Sequence, residues 1–522
     1  MELPGCATGL PACTPAPPMI ELSHWFAPLS GVGWSQQGRN ALAYTPQEDQ
    51  AQALFARQLQ SLGLRPRQDG WGNHYGLYHP PGVDPNTPAI AIGSHLDSTP
   101  AGGRFDGVLG VAAGLAVLAR LQQSLEQDGP PLCRPLCLIA WRGEESSRFG
   151  ISCIGSKGAA GLLTLEQCRA YADRLHPQHP MTLYEAVAPR RGPDPSPVAP
   201  GRVDTLLELH IEQGPTLAEA KRQHPSEPPP VGVVTQAIAG AIRERLTLPP
   251  NLPALHLARM LLSAHSVAGG LDCDRQRPFR LTVTPANRPP NVGRSRTRLQ
   301  CRDQAQAQQL VAVARQRLKP HQPPHPSSIT RRERQVIFSG PHSYHSGTQP
   351  MAHKERLDQI LSAARALEAL EQALPGAAQG IAWPDFSRHT EATILQLDWR
   401  AAHETQLTAG SAQVRREIEH YLHRHDIPAD WSIISRTKPA AVTPEVAQRL
   451  LDAARQEGVP TLAMASGAGH DVQIPPHMQR GLLFVVSEAN GVSHHHSEWT
   501  DMADAEVGVQ VLTRTVLGMM RG

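Results

Sequence analysis

PAIAIGSHLDSTPAGGRFDGVLGVAAGLAVLARLQ, residues 88–122, decides the fold class. It opens on a short apolar run that suits a buried strand of a mostly parallel sheet. A glycine-rich turn follows, and from Gly107 to Gln122 the small-residue-rich pattern is helical. Strand, polar turn and helix in succession make one unit of an α/β layered domain. The turn carries His95 and Asp106. Open α/β sheets bind ligands at such places, just past the carboxyl ends of their strands.

Working outward, the same grammar recurs. PLCLIAWR (Pro135–Arg142) is a second buried strand, followed directly by Glu144 and Glu145. TLLELHIEQGP (Thr205–Pro215) is a third, carrying His210. Upstream, Pro46 to Gly63 reads as an amphipathic helix ending at a glycine. After Pro439 the style returns, with a helix near Val446–Gln456 and the strand GLLFVVS (Gly481–Ser487). The expected architecture is a mostly parallel sheet with flanking helices, formed by residues 19–240 and 440–522. Residues 1–18 read as a loose tail.

Residues 241–439 follow another pattern, an α+β insert that repeats itself. RERLTL from Arg243 and RERQVIF from Arg332 each head a strand. A helix follows in each half: LPALHLARMLLSAH in the first, KERLDQILSAARALEALEQ in the second. Two strands come next, PFRLTVTPA and SRTRLQCRD, then GIAWPDF and EATILQLDWR. Helices near Gln304–Leu318 and Thr405–Arg424 close the halves, which are set at 241–330 and 331–439. The Pro/His-rich stretch Lys319–Ser328 reads as a linker. Arg302 and Arg400 occupy matching strand ends, which favours duplication over chance.

Bulk properties narrow the class. A chain of 522 residues exceeds one hydrophobic core, so two or three domains are expected. Hydrophobic residues at 40% and charged residues at 18% suit a globular protein. The 49 prolines are about twice the usual share, so many elements should end abruptly. A net charge of +2 gives no reason for a nucleic-acid or acidic-membrane partner. The eight cysteines lack paired spacing, which argues against a disulfide framework and a thiolate metal site. Cys133 and Cys137 read as buried thiols in an apolar run. No stretch reaches the roughly 20 apolar residues that span a bilayer. With no convincing signal peptide, a cytoplasmic enzyme is the default expectation.

The chemistry-bearing residues cluster after strands. A hydrolase using two metal ions needs a shared carboxylate and terminal ligands that leave room for water. His95, Asp106, the Glu144–Glu145 pair, His210 and the histidine cluster GVSHHHSEWTD beginning at His494 supply such groups. Singly, a histidine after a strand is more often structural, and a Glu pair is more often solvated. Together, four strand-end clusters of imidazole and carboxylate are hard to explain as packing. Of an adjacent Glu pair, one can bind metal while the other handles a proton.

These strings resemble the dinuclear zinc amidohydrolases that include N-carbamoyl-L-amino-acid hydrolase, allantoate amidohydrolase and β-ureidopropionase. The resemblance runs from about residue 20 to the C-terminus, interrupted by the extra half of the insert. GSHLDSTPAGGRFDGVLGVAAGL, EESSRFG, LELHIEQGP, HSGTQPM, SGAGHD and GVSH carry it. It implies that His95 and His210 serve one metal, that Glu145 and His494 serve the other, and that Asp106 bridges. His495 and His496 fall where the family pattern has other residues. Two divalent ions are implied; zinc suits the ligands, and manganese, cobalt or nickel could occupy them. Related aminopeptidases and dipeptidases share the His, Asp and paired-Glu motifs, whereas HIEQGP and SGAGHD favour the ureido-cleaving branch.

On this resemblance Glu144 is the general base and acid, and the insert is a lid. His345 in HSGTQPM matches a lid histidine that helps stabilise the oxyanion and usually comes from a dimer partner. An asparagine and an arginine at lid strand ends hold the substrate carboxylate. The first half offers Asn291 and Arg302 but no HSGTQPM counterpart. The second offers His345 and Arg400, with Ser387 at the asparagine position. The duplication is therefore expected to imitate a dimer within one chain, with Arg302 gripping the carboxylate and Arg400 as fallback; a homodimer remains the other possibility. Gln213 and His470 are expected to line the site. The substrate class is a small ureido carboxylate. The alternatives are a metallo-aminoacylase or dipeptidase, and a non-catalytic binding protein on the same fold.

Overall fold

The computed structural model describes residues 21–125, 131–176, 181–250, 252–271, 280–285, 294–317, 328–332, 335–342, 351–379, 381, 392–488 and 491–522. The N-terminal tail, Asn291, His345 and Ser387 lie outside the described residues.

A mixed, mainly parallel sheet forms the larger body. Its central strands Gln479–Val485, Val203–Ile211, Ala89–His95 and Leu136–Trp141 run parallel in that order. His74–Tyr78 and Arg67–Gln68 extend one side antiparallel. Val231–Ile238 joins on the other side, and Thr461–Ser466 pairs with it in parallel. Every residue of Ala89–His95 and of Leu136–Trp141 is buried, which explains why these strands read as unbroken apolar runs.

The helix Val108–Leu125 packs on this sheet because its contact positions are small. A Cβ at Gly110 would lie 2.4 Å from the Leu209 carbonyl oxygen, so only glycine lets the helix come this close. Helix Pro46–Ser61 starts on Thr45, whose hydroxyl accepts from the Glu48 N–H, and it gives way to Gly63 at φ +75°. Of the two cysteines read as buried, Cys137 is, but Cys133 is exposed, with its thiol donating to the Met520 carbonyl. Cys133 precedes the strand proper, where the chain still runs at the surface.

The insert forms two antiparallel sheets. In one, Gly240–Leu248 lies between Thr393–Ala401 and Asp430–Thr437, with Arg280–Pro285 at the edge. In the other, Gln335–His342 lies between Arg294–Gln300 and Ser328–Arg332. The segments 241–330 and 331–439 therefore interleave: the first strand of one pairs with the last strands of the other. Arg332 ends Ser328–Arg332 instead of heading the next strand, because a hairpin forms here whose register pairs Arg332 with Gln335. Helices Ala254–Leu271 and Met351–Ala373 pack together, joined by Arg259 Nε to Glu368 Oε2 at 2.7 Å. One apolar core spans both sheets, including Leu246, Leu299, Leu367 and Trp399.

Two crossings connect the bodies, and one side chain holds both. Gln473 donates Nε2 to the Ala239 carbonyl (3.0 Å) and to the Lys438 carbonyl (2.7 Å). Nearby, Lys157 Nζ reaches Thr437 Oγ1 at 2.9 Å.

Candidate metal centre

His95 is the last residue of its strand, His210 sits one residue before the end of its own, and Glu144 and Glu145 follow a third. All project at the same edge of the sheet, where Asp106 enters from the turn before helix Val108–Leu125. His494 comes from the loop beyond Gln479–Val485. The six side chains are between 2% and 9% exposed.

Asp106 stands at the middle. Its Oδ1 lies 3.0 Å from His210 Nε2 and 3.3 Å from His95 Nε2, and its Oδ2 lies 3.0 Å from His494 Nε2. His494 Nε2 is in turn 2.8 Å from Glu145 Oε1. Two ligand triplets result, His95–Asp106–His210 and Asp106–Glu145–His494, each with donor atoms within 4.8 Å of one another. Each takes a different oxygen of the shared carboxylate, which is the geometry of a bridge.

The surroundings fix these donors. His210 Nδ1 bonds the Ile211 carbonyl at 2.9 Å and His95 Nδ1 the Asp97 carbonyl at 3.2 Å, which turns both Nε2 atoms inward. The Asp97 carboxylate accepts from the backbone N–H groups of Glu144 (2.9 Å) and Glu145 (3.0 Å). Gly107 has φ +71°, and a Cβ there would lie 2.5 Å from the His95 ring, so the turn requires glycine. His494 itself sits at φ +58°, a strained conformation for a side-chain-bearing residue.

Electrostatics suit a cation. Asp97, Asp106, Glu144, Glu145 and Glu208 are all buried around the histidines, a density of negative charge that calls for compensation. Burial opposes charge on His95, yet Asp106 and Asp97 outweigh it and hold the imidazole well above its usual range. Burial likewise opposes His210, which Asp106 pulls up to about 9. Burial raises Asp106, but His210, His494 and His95 bring it well below the carboxylate range. The carboxylates thus favour positive charge on the imidazoles, and divalent ions suit the same place. Glu144 is pushed up to about 7, by burial foremost, with His95 opposing and Glu145 and Asp97 adding. A carboxyl so placed can carry a proton near neutrality.

Gln213 Nε2 donates to Asp106 Oδ2 at 2.7 Å, and His470 packs edge-on against His210 with ring centres 4.8 Å apart. Arg400 reaches the same loops, donating Nη1 to the Gly467 carbonyl at 2.9 Å. Arg302 does not join them: its side chain is 68% exposed and pairs with Asp303. The interleaved strands account for this, since Thr393–Ala401, with Arg400 near its end, enters the sheet next to the crossings and Arg294–Gln300 enters the other. Sequence reasoning passed over Cys153, whose thiol lies 3.2 Å from Glu144 Oε1, and also Ser493 and Glu498. Of these, only Cys153 carried a visible signal, as a cysteine close behind the Glu pair.

Residues 91–518 match the family described as peptidase family M20/M25/M40, and the chain belongs to it. The N-carbamoyl-L-amino acid amidohydrolase of Geobacillus stearothermophilus is 28% identical over 495 residues, covering 93% of this chain and 94% of that protein. The ureidoglycolate hydrolase of Arabidopsis thaliana is 35% identical over 205 residues, 38% of this chain and 40% of that one. Among solved structures, an amidase of the hydantoinase/carbamoylase family from Burkholderia vietnamiensis superposes with a TM-score of 0.64 at 21% identity, covering 96% of this chain and 97% of that one. That likeness is one of fold. No helix among the described residues is long and apolar enough to cross a membrane.

Proposed function

We propose that the chain is a metal-dependent amidohydrolase of linear C–N amide bonds in N-carbamoyl amino acids or allantoate-like ureido acids. The observation that carries this reading is Asp106 placed between two ligand triplets, with Glu144 beside them. His95 and His210 would hold one divalent ion, Glu145 and His494 the other, with Asp106 shared; zinc suits the donors, and manganese, cobalt or nickel fit them too. Such ions supply Lewis acidity, which lowers the pKa of water and polarises the scissile carbonyl.

The chain's own groups do the rest. Glu144, its Oε1 held by the Cys153 thiol, takes the proton of the attacking water and returns it to the leaving nitrogen. From an N-carbamoyl substrate the products are the amino acid, carbon dioxide and ammonia. Arg400 grips the substrate carboxylate. It gives Nε and one N–H of Nη2 to Asp398 and one N–H of Nη1 to Gly467, which leaves one N–H on each Nη for a carboxylate. By family resemblance Asn291 assists it and His345 donates to the oxyanion.

The lid supports an internal duplication. In each sheet an inner strand, Gly240–Leu248 or Gln335–His342, has on one side a strand that follows a helix. One unit would then act as the partner's lid within the same chain. The free cysteines, with five described as unpaired thiols, suit a cytoplasmic setting.

The test is metal analysis with Glu144→Gln, assayed on ureido acids, acyl amino acids and dipeptides. Expected are two bound ions, turnover of ureido acids above the others, and a loss of about 10²–10⁴ in kcat for the variant with its metal retained. Preference for acyl amino acids or dipeptides would make the chain an aminoacylase or dipeptidase. Absence of metal, or a fully active variant, would remove the mechanism.

A further inference from the structure

Glu498 follows the three histidines in sequence, and no step above uses it. It is 2% exposed. Its Oε1 accepts from two consecutive backbone N–H groups, Phe105 at 2.8 Å and Asp106 at 3.1 Å. Its Oε2 lies 3.1 Å from the Ser493 hydroxyl. The same hydroxyl is 2.7 Å from Asp106 Oδ2 and takes a bond from Gln213 Nε2 at 3.0 Å. Loops far apart in sequence thus converge on one buried carboxylate, and Gly103 makes the room: a Cβ there would lie 2.1 Å from Glu498 Cδ.

Both oxygens are committed to these donors, so Glu498 is not a sixth ligand, and it belongs to none of the ligand groups among the described residues. What it holds is the bridge. Its Oε1 fixes the main chain at Asp106, and its Oε2 fixes the serine that touches the Asp106 carboxylate. Each of the paired ion positions needs its own oxygen of Asp106, so a rotation of that carboxylate would favour one position and spoil the other.

We infer that Glu498 is a positioning residue that aims the Asp106 carboxylate at both metal positions, so that two ions bind as a pair. This rests on the reading of the five donors as a metal cage. Ser493 is the movable part: its single proton can point to Asp106 in the empty site, or to Glu498 once Oδ2 faces a cation.

The test titrates Zn²⁺ or Co²⁺ into the metal-free full chain against a chromophoric chelator, for wild type, Glu498→Ala, Glu498→Gln and Ser493→Ala. Wild type is expected to bind two ions. Glu498→Ala should lose about 10–100-fold in affinity for at least one of them. Glu498→Gln should recover part of the loss, because its carbonyl oxygen still accepts the two backbone N–H groups while its NH₂ faces Ser493. Ser493→Ala, which removes only the side-chain arm, should change the Co²⁺ absorption spectrum of the paired site. If Glu498→Ala does not fold, Glu498→Gln and Ser493→Ala decide. Two ions bound within twofold of wild type by every folded variant, with unchanged Co²⁺ spectra, would overturn the inference and leave the cage standing. Failure of wild type to bind metal would overturn the cage itself.

Discussion

At the scale of the residue, Cys153 holds Glu144, the proposed proton carrier, through both its main chain and its side chain. Its backbone N–H bonds the Glu144 carbonyl at 2.8 Å, and its thiol meets Glu144 Oε1. Its φ of +54° is a conformation glycine adopts freely. Cys153→Gly therefore keeps the backbone and removes only the thiol, and kcat should fall roughly fivefold, the value of a bond of about 1 kcal/mol. KM should stay unchanged, and Cys153→Ser should restore most of the rate. Steady-state kinetics on the three proteins decide; full kcat in Cys153→Gly would mean the thiol steers nothing. The side chains that gather at the sheet edge were legible because each follows an apolar strand in a short polar string. Glu498 was not, since a glutamate after three histidines looks like a solvated charge until Phe105 and Asp106 fold onto it. Arg302 and Arg400 are equivalent in sequence, and only strand pairing puts Arg400 beside Gly467 and leaves Arg302 exposed.

Among elements, the contact between helix Pro46–Ser61 and strand His74–Tyr78 gives the fold a pH-sensitive joint. His74 Nδ1 lies 3.1 Å from Gln52 Oε1, while Gln52 Nε2 donates to the Trp141 carbonyl at 3.1 Å, two residues before Gly143. Burial, with Arg142 adding, pushes His74 down to about 4. A histidine whose folded pKa lies below its unfolded value of about 6.5 costs nothing at neutral pH. As pH falls from 6.5 towards 4, the unfolded chain takes a proton that the folded one refuses, and stability is lost. At pH 5 the loss from this group is about 2 kcal/mol. Urea melts at pH 7 and pH 5 should show His74→Gln losing about that much less than wild type across the interval; equal losses would refute the assignment. The helix and the strand interiors were legible from periodicity. The lid pairing was not, because each lid half offers an acceptable first strand and local pattern carries no information on which distant strand it joins.

For the whole molecule, the proposed duplication of the insert makes a prediction about oligomeric state. Helices Ala254–Leu271 and Met351–Ala373 pack on each other and share one apolar core. If the two segments imitate a dimer, as proposed, the chain needs no second copy to complete its site. Sedimentation should therefore find an active monomer, with activity per chain independent of concentration. An obligate dimer whose activity falls on dilution would refute this.

The interleaved strands also bear on synthesis. Gly240–Leu248 leaves the ribosome well before Thr393–Ala401 exists to pair with it, a wait of roughly 8–30 s at about 5–20 residues per second. Over that interval a strand edge stands open on the nascent chain, inviting a neighbouring polypeptide to pair with it. His494, a proposed metal ligand, is translated later still, so the five proposed donors cannot gather before it has been made.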